Sequence, residues 1–253
     1  MYRLLDTLKQ QKVDGVVIDL RANGGGSLIE AIELTGLFIR TGPVVQVRDT
    51  RGRIEVNEDD DASIAWDGPL GVMIDRFSAS ASEIFAGAIQ DYGRGIIVGT
   101  QTYGKGTVQS AIDMSRVIKP VDSPQTASGT KGTLAGAPKY GQINLTMGKF
   151  YRINGSSTQH KGVIPDISFP MVFPADKYGE SSEPAALPWD EIRASNYRPL
   201  ANLAGIKGEL TNLHEQRMKS SEEYKFLLED IAEFKKRENE TSVTLNEAQL
   251  KKE

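Results

Sequence analysis

With 253 residues, 39% of them hydrophobic, the chain has material for one large domain or one domain with an appendage. A net charge of −4 offers no phosphate-binding surface, which argues against a nucleic-acid partner, and no apolar run reaches membrane-spanning length. The absence of cysteine excludes disulfides, thiolate metal sites and a cysteine nucleophile; with only His160 and His214, a histidine-rich metal centre is excluded too, and a Ser-His-Asp triad would have to use one of these two.

Residues 2–12 carry Leu4, Leu5 and Leu8 at helical spacing, as the end of an amphipathic helix. The sequence Val13-Asp-Gly-Val-Val-Ile-Asp-Leu20 reads as a central buried strand. It enters the loop Arg21-Ala-Asn-Gly-Gly-Gly26, and a helix over Ser27–Phe38 follows. Strand, glycine loop and helix form an α/β signature. The glycines let backbone N–H groups approach a ligand, or simply make a tight turn. They match neither dinucleotide-binding nor Walker spacing. Pro43–Arg48 reads as a strand, Asp49-Thr-Arg-Gly-Arg53 as a turn, and Glu58-Asp-Asp-Asp61 as a solvated loop.

The apolar run Gly71–Ile74 reads as a short buried strand and Glu83–Asp91 as a helix, with Ser78, Ser80 and Ser82 between them. A hydroxyl on such a turn lies beside free N–H groups and the positive end of a helix, where an oxyanion could be stabilised. Helix capping explains the same serines. Arg94–Gly99 is a further buried strand. In Thr100–Gln109, Lys105 stands between two glycines, which suits either an ordinary turn or a lysine entering a crowded site.

Ser115–Gly141 is rich in Gly, Pro, Ser and Thr and reads as an extended loop with room for a short hairpin. Gln142–Ile153 alternates as a strand and runs into the turn Asn154-Gly155. His160, isolated beside a turn, reads as a surface residue. Met171–Pro199 reads as a segment wrapping the surface, anchored at Trp189. Helices are predicted over Thr211–Lys219 and Ser221–Asn239, the second opened by a Ser220/Glu223 capping box. Its stripe Tyr224, Leu227, Leu228, Ile231 and Phe234 reads as core, and Thr241–Leu245 as a final short strand. The chain thus divides into a core over 1–170, a wrapping segment over 171–199 and a helical extension over 200–253.

A nucleophilic serine needs a base and oxyanion donors. With histidine scarce, lysine is the natural base, provided an apolar environment lowers its pKa. Tyr103 and Val108 are near Lys105 in sequence, and Gln109 could orient the amine without a charge that would favour the ammonium.

Three segments carry a family resemblance: Val17–Gly26, Phe77-Ser-Ala-Ser-Ala-Ser-Glu-Ile84 and Gly104-Lys-Gly-Thr-Val-Gln109. Together they resemble the protease core of the carboxyl-terminal processing peptidases. Thr158–Asp166 and Leu187-Pro-Trp-Asp190 extend the likeness toward the tail-specific protease branch. The resemblance implies an α/β, crotonase/ClpP-like core of mixed sheet and helices with a C-terminal helical extension. It implies Ser80 as nucleophile, Lys105 as general base and Gln109 as the group orienting it. The N–H groups of Gly26 and Ala81 would form the oxyanion hole, with Gly25, Glu83, Asp91 and Thr102 in support. It further implies a periplasmic serine endopeptidase without cofactor or metal, acting on polypeptides with unstructured C-termini, with an adaptor protein as a possible partner. The family's PDZ domain and the branch's helical N-terminal region have no counterpart here, so the chain is expected to be a fragment or a truncated form. The rivals are a non-catalytic binding module, which has no reason to keep Ser80, Lys105 and Gln109 together, and a crotonase-like acyl-CoA enzyme, which gives Lys105 no role.

Overall fold

A computed structural model describes residues 1–118, 140–238, 242 and 244–251. Two four-stranded sheets enclose a buried helix. The first sheet is parallel and contains β1 (Val16–Asp19), β4 (Leu70–Ile74), β5 (Ile96–Gly99) and β8 (Ile167–Ser168), in that spatial order. The second is antiparallel, with β2 (Gly42–Asp49), β3 (Ile54–Asp59), β6 (Thr107–Asp113) and β7 (Gln142–Tyr151) arranged β3-β2-β7-β6. Helices α1 (Tyr2–Gln10), α2 (Leu28–Gly36) and α3 (Ala81–Asp91) complete the core.

Helix α3 lies between the sheets because its sequence is apolar on both sides. Phe85, Ala86 and Ile89 pack with Val72, Ile74 and Ile97 of the parallel sheet. Ile84, Ala88 and Tyr92 pack with Val44, Val45 and Phe150 of the antiparallel sheet. Each such large side chain contributes roughly 1.5–3 kcal/mol by leaving water. Phe38, just beyond α2, meets Phe85 edge-on at 5.9 Å between ring centroids. The N-terminus of α3 is thereby fixed where the loops leaving β1, β4 and β5 meet, the usual location for a site on a parallel sheet.

Several sequence expectations need correction. β1 is an edge strand, not a central one: burial alternates along it, and Val17 is 64% exposed. Leu4 faces solvent while Leu5 is buried. Glu58 and Asp59 belong to β3, where Asp59 is buried, instead of to a solvated loop. β6 was not anticipated as a strand, because its alternation is short and follows glycines.

Beyond the core come a short helical turn α4 (Ala175–Tyr178) and the long helices α5 (Ala204–Ser220) and α6 (Glu222–Glu238). α5 begins seven residues before the predicted start and ion-pairs Lys207 with Asp166 at 2.7 Å. Ser221, not Ser220, caps α6, accepting from the Tyr224 N–H at 3.1 Å. In the α6 stripe Ile231 is buried but Leu228 is exposed, so that stripe is only partly core. Trp189 is half-buried and anchored by its indole N–H to the Ser157 carbonyl, with the Lys161 amine 3.4 Å above its ring. Asp190 beside it receives Arg48, Lys149 and Tyr151 from the antiparallel sheet. Residues 119–139 of the predicted loop over Ser115–Gly141 lie outside the described residues, as do Thr241 and Val243 of the predicted last strand; Ser242, Thr244 and Leu245 have no strand structure. A terminal turn, α7 (Glu247–Leu250), ends the described chain.

Candidate active site

The serine turn is built from two backbone carbonyl acceptors and three side chains, Asp75, Ser78 and Ser82. Asp75 ends β4, and its carboxylate accepts from the N–H groups of Phe77, Ser78 and Ala22. The Ser78 hydroxyl donates to the Leu20 carbonyl at 2.8 Å. The Asn23 carbonyl then accepts from the Ala79 N–H and the Ser82 hydroxyl, both at 3.0 Å. These contacts sew the glycine loop after β1 onto the serine turn. Gly25, at φ +100°, sits so close that a Cβ there would lie 2.6 Å from the Ala79 carbonyl and 2.8 Å from the Ala81 nitrogen.

Ser80 occupies φ 56°, ψ −114°, a region costly for any residue with a Cβ and typical of residues held by function. It is the residue before α3, and Glu83 in the first turn accepts its N–H at 2.8 Å. The N–H groups of Gly26 and Ala81 have no hydrogen-bond acceptor among the described residues. Both residues line one cavity of about 470 Å³ together with Ser80, Lys105 and Gln109. Leu28, Ile84, Val108 and Phe150 give that cavity an apolar side.

Lys105 leaves β5 through the irregular segment 101–106 and reaches the cavity just before β6, the edge strand carrying Gln109. It is half-buried and has no ion-pair partner among the described residues. A second cavity of about 540 Å³ shares Lys105, Thr107 and Gln109 with the first and continues to Phe77, Tyr103 and Leu187. The lysine thus lines both spaces.

Glu83 ties these segments together. It is fully buried, and its two oxygens receive the Thr102 hydroxyl (2.6 Å) and the N–H groups of Gly104 (2.8 Å), Lys105 (3.0 Å) and Ser80 (2.8 Å). Burial pushes its carboxyl up to about 7, opposed by these hydrogen bonds. Thr102 in turn accepts from the Val163 N–H at 2.7 Å. Asp91, at the other end of α3, is placed away from the cavity. It pairs with Arg152 at 2.6 Å and accepts from Asn154; burial raises its carboxyl despite the Arg152 contact.

Residues 1–169 match the model of peptidase family S41, and residues 173–253 that of the C-terminal domain of tail specific protease. The chain belongs to peptidase family S41. It is 44% identical to the tail-specific protease of Haemophilus influenzae over 96% of its own length and 33% of that protein. It is 32% identical to the chloroplastic carboxyl-terminal-processing peptidase 2 of Arabidopsis thaliana, over 68% of this chain and 29% of that one. The chain therefore spans about a third of the curated relatives it matches. Among solved structures, the photosystem II D1 C-terminal processing protease superposes with a TM-score of 0.54 at 30% identity, covering 70% of this chain and 40% of that one.

Of the predicted site residues, Ser80, Ala81, Gly26, Lys105 and Gln109 line one cavity. Gly25, Glu83 and Thr102 stand directly behind it, and Asp91 stands apart. The sequence reading missed Asp75, Asn23 and Gln159. Asp75-Arg-Phe-Ser78 carries an Asx-turn signal that was available; Asn23 acts through its main chain and leaves none. His160 is half-buried, with its Nε2 buried and without a hydrogen-bond partner among the described residues and its backbone at φ 64°, unlike the surface residue expected. Its N–H donates to the Gly104 carbonyl at 2.8 Å, so it serves the lysine segment through its backbone.

Proposed function

We propose that this chain is the catalytic part of a serine endopeptidase using a Ser80–Lys105 dyad, with Gln109 orienting the amine. One observation carries the reading: a single cavity gathers a strained serine, a lysine and two backbone N–H groups that have no ionic or hydrogen-bond partner among the described residues, and a neutral glutamine. In this scheme the Lys105 amine takes the Ser80 proton as Oγ attacks the peptide carbonyl. The N–H groups of Gly26 and Ala81 hold the oxyanion, helped by the positive end of α3. Lys105 then protonates the leaving amine, and an acyl-enzyme forms on Ser80. Water activated by the same amine releases the acyl group and restores the serine.

The substrates would be polypeptides with unstructured C-termini, in the periplasm, with an adaptor protein delivering some of them. The division into a core over 1–170, a wrapping segment over 171–199 and a helical extension over 200–253 belongs to the same reading. The test is hydrolysis of an unstructured polypeptide by Ser80→Ala and Lys105→Ala variants of the full-length protein. Both should lose hydrolysis while unfolding at a temperature within a few degrees of the parent. Substantial turnover by Lys105→Ala would eliminate the dyad.

A further inference from the structure

The segment 101–106 that presents Lys105 has no regular secondary structure. Its conformation must come from what grips it. Glu83 holds one side through Thr102, Gly104 and Lys105. The opposite side is held by Gln159, which is fully buried: its Oε1 accepts from the Gly106 N–H at 2.8 Å. Gln159 Nε2 donates to Glu180 Oε1 at 3.0 Å. The Glu180 N–H donates to the Tyr103 carbonyl, also at 3.0 Å. Glu180 thus grips the segment twice, at Tyr103 two residues before Lys105 and through Gln159 at Gly106 just after it.

The fit at Gly106 is close. A Cβ there would lie 2.7 Å from the Gln159 nitrogen and 3.0 Å from its Cβ. The lack of room for a Cβ and the bond to Oε1 seat Gly106, the residue adjoining Lys105, directly on Gln159. A glutamine amide can turn over, exchanging its oxygen for its NH₂. If it did so here, two donors would face each other at Gly106. The Glu180 carboxylate forbids this because it accepts only a donor, and so fixes the amide oxygen on Gly106. Glu180 makes no ion pair among the described residues. Gln159 lies within the region matching family S41, whereas Glu180 lies in the region matching the separate C-terminal domain.

We propose that Glu180 is a positioning residue for Lys105, acting through Gln159, so that the C-terminal domain completes the catalytic site. The proposal rests on Lys105 being the general base.

The test uses the full-length protein and a fluorogenic peptide ending in an unstructured tail. Glu180→Ala keeps the backbone bond to Tyr103 and removes only the carboxylate. It should lower kcat about tenfold, the effect of one misplaced hydrogen bond, with KM within about twofold and a displaced acid limb in the kcat–pH profile. Glu180→Gln, which can still accept from Gln159, should recover most of kcat. Lys105→Ala is assayed alongside. Hydrolysis by Lys105→Ala would overturn the dyad and this role with it. An inactive Lys105→Ala beside a Glu180→Ala with parental kcat and pH profile would overturn the role of Glu180 alone. Equal losses in Glu180→Ala and Glu180→Gln that follow a fall in melting temperature would also overturn it, marking the contact as structural.

Discussion

Replacing Glu83 by glutamine tests the energetic account of the site at its centre. The carboxylate receives four donors, two on each oxygen. An amide keeps one oxygen and turns an NH₂ toward the other two donors, leaving them unsatisfied at about 1–3 kcal/mol each. That loss does not depend on pH. The native residue does, because its carboxyl is raised from 4.5 to about 7 by burial. Between those values the folded protein holds a proton that the unfolded chain has released. Glu83 therefore favours folding most at low pH, and this contribution fades as pH rises through about 7. From about pH 5 to about pH 8 the fade amounts to roughly 2–3 kcal/mol. Glu83→Gln should consequently destabilise the protein more at the lower pH, by that difference. Urea unfolding of both proteins at both pH values measures it, since all other titrating groups cancel. An equal loss at the two pH values would refute the argument that a buried, proton-binding carboxyl joins the serine turn to the lysine segment.

Three further substitutions have definite outcomes. Ser80→Gly should be inactive but about 1 kcal/mol more stable than Ser80→Ala in thermal unfolding, because only glycine relieves the backbone at φ 56°. Gly25→Ala should cost about 2 kcal/mol or more by calorimetry and at least about tenfold in kcat, since its Cβ would meet the backbone of Ala79 and Ala81 at a positive φ. Asp91→Ala should destabilise by about 3–5 kcal/mol in urea unfolding by leaving Arg152 buried without its partner. Replacing Asp91 and Arg152 together with Leu and Met should recover much of that loss.

Much of the site was legible because its chemistry is written in short local patterns. The apolar run Gly71–Ile74, the glycines at 24–26 and the glycine-flanked Lys105 each carry a backbone requirement that sequence displays. Elements whose stability comes from neighbours were not legible. β3 is polar along most of its length and exists because it pairs with β2. The misreading of β1 as central has a similar origin: Val17 is as apolar as a core residue, and only the sheet order shows that it faces out. Among the polar residues, Glu83 and Thr102 could be singled out by resemblance, but not the bond between them. Gln159 gave no signal, because a buried glutamine looks like a surface one until its partners at Gly106 and Glu180 are known.

The backbone of Ser80 is unfavourable in isolation, and the contacts that hold it come from elsewhere in the chain: the Asn23 carbonyl through Ala79 and Ser82, and the Glu83 hub that reaches to Thr102 and Lys105. The reactive posture of the serine is therefore a property of the assembled tertiary structure. A partly folded chain that has formed α3 but not docked the loop over 21–26 would let the turn relax. On the proposed mechanism, a covalent serine-directed label would then count completely folded molecules, and its rate of appearance during refolding would time the docking of that loop.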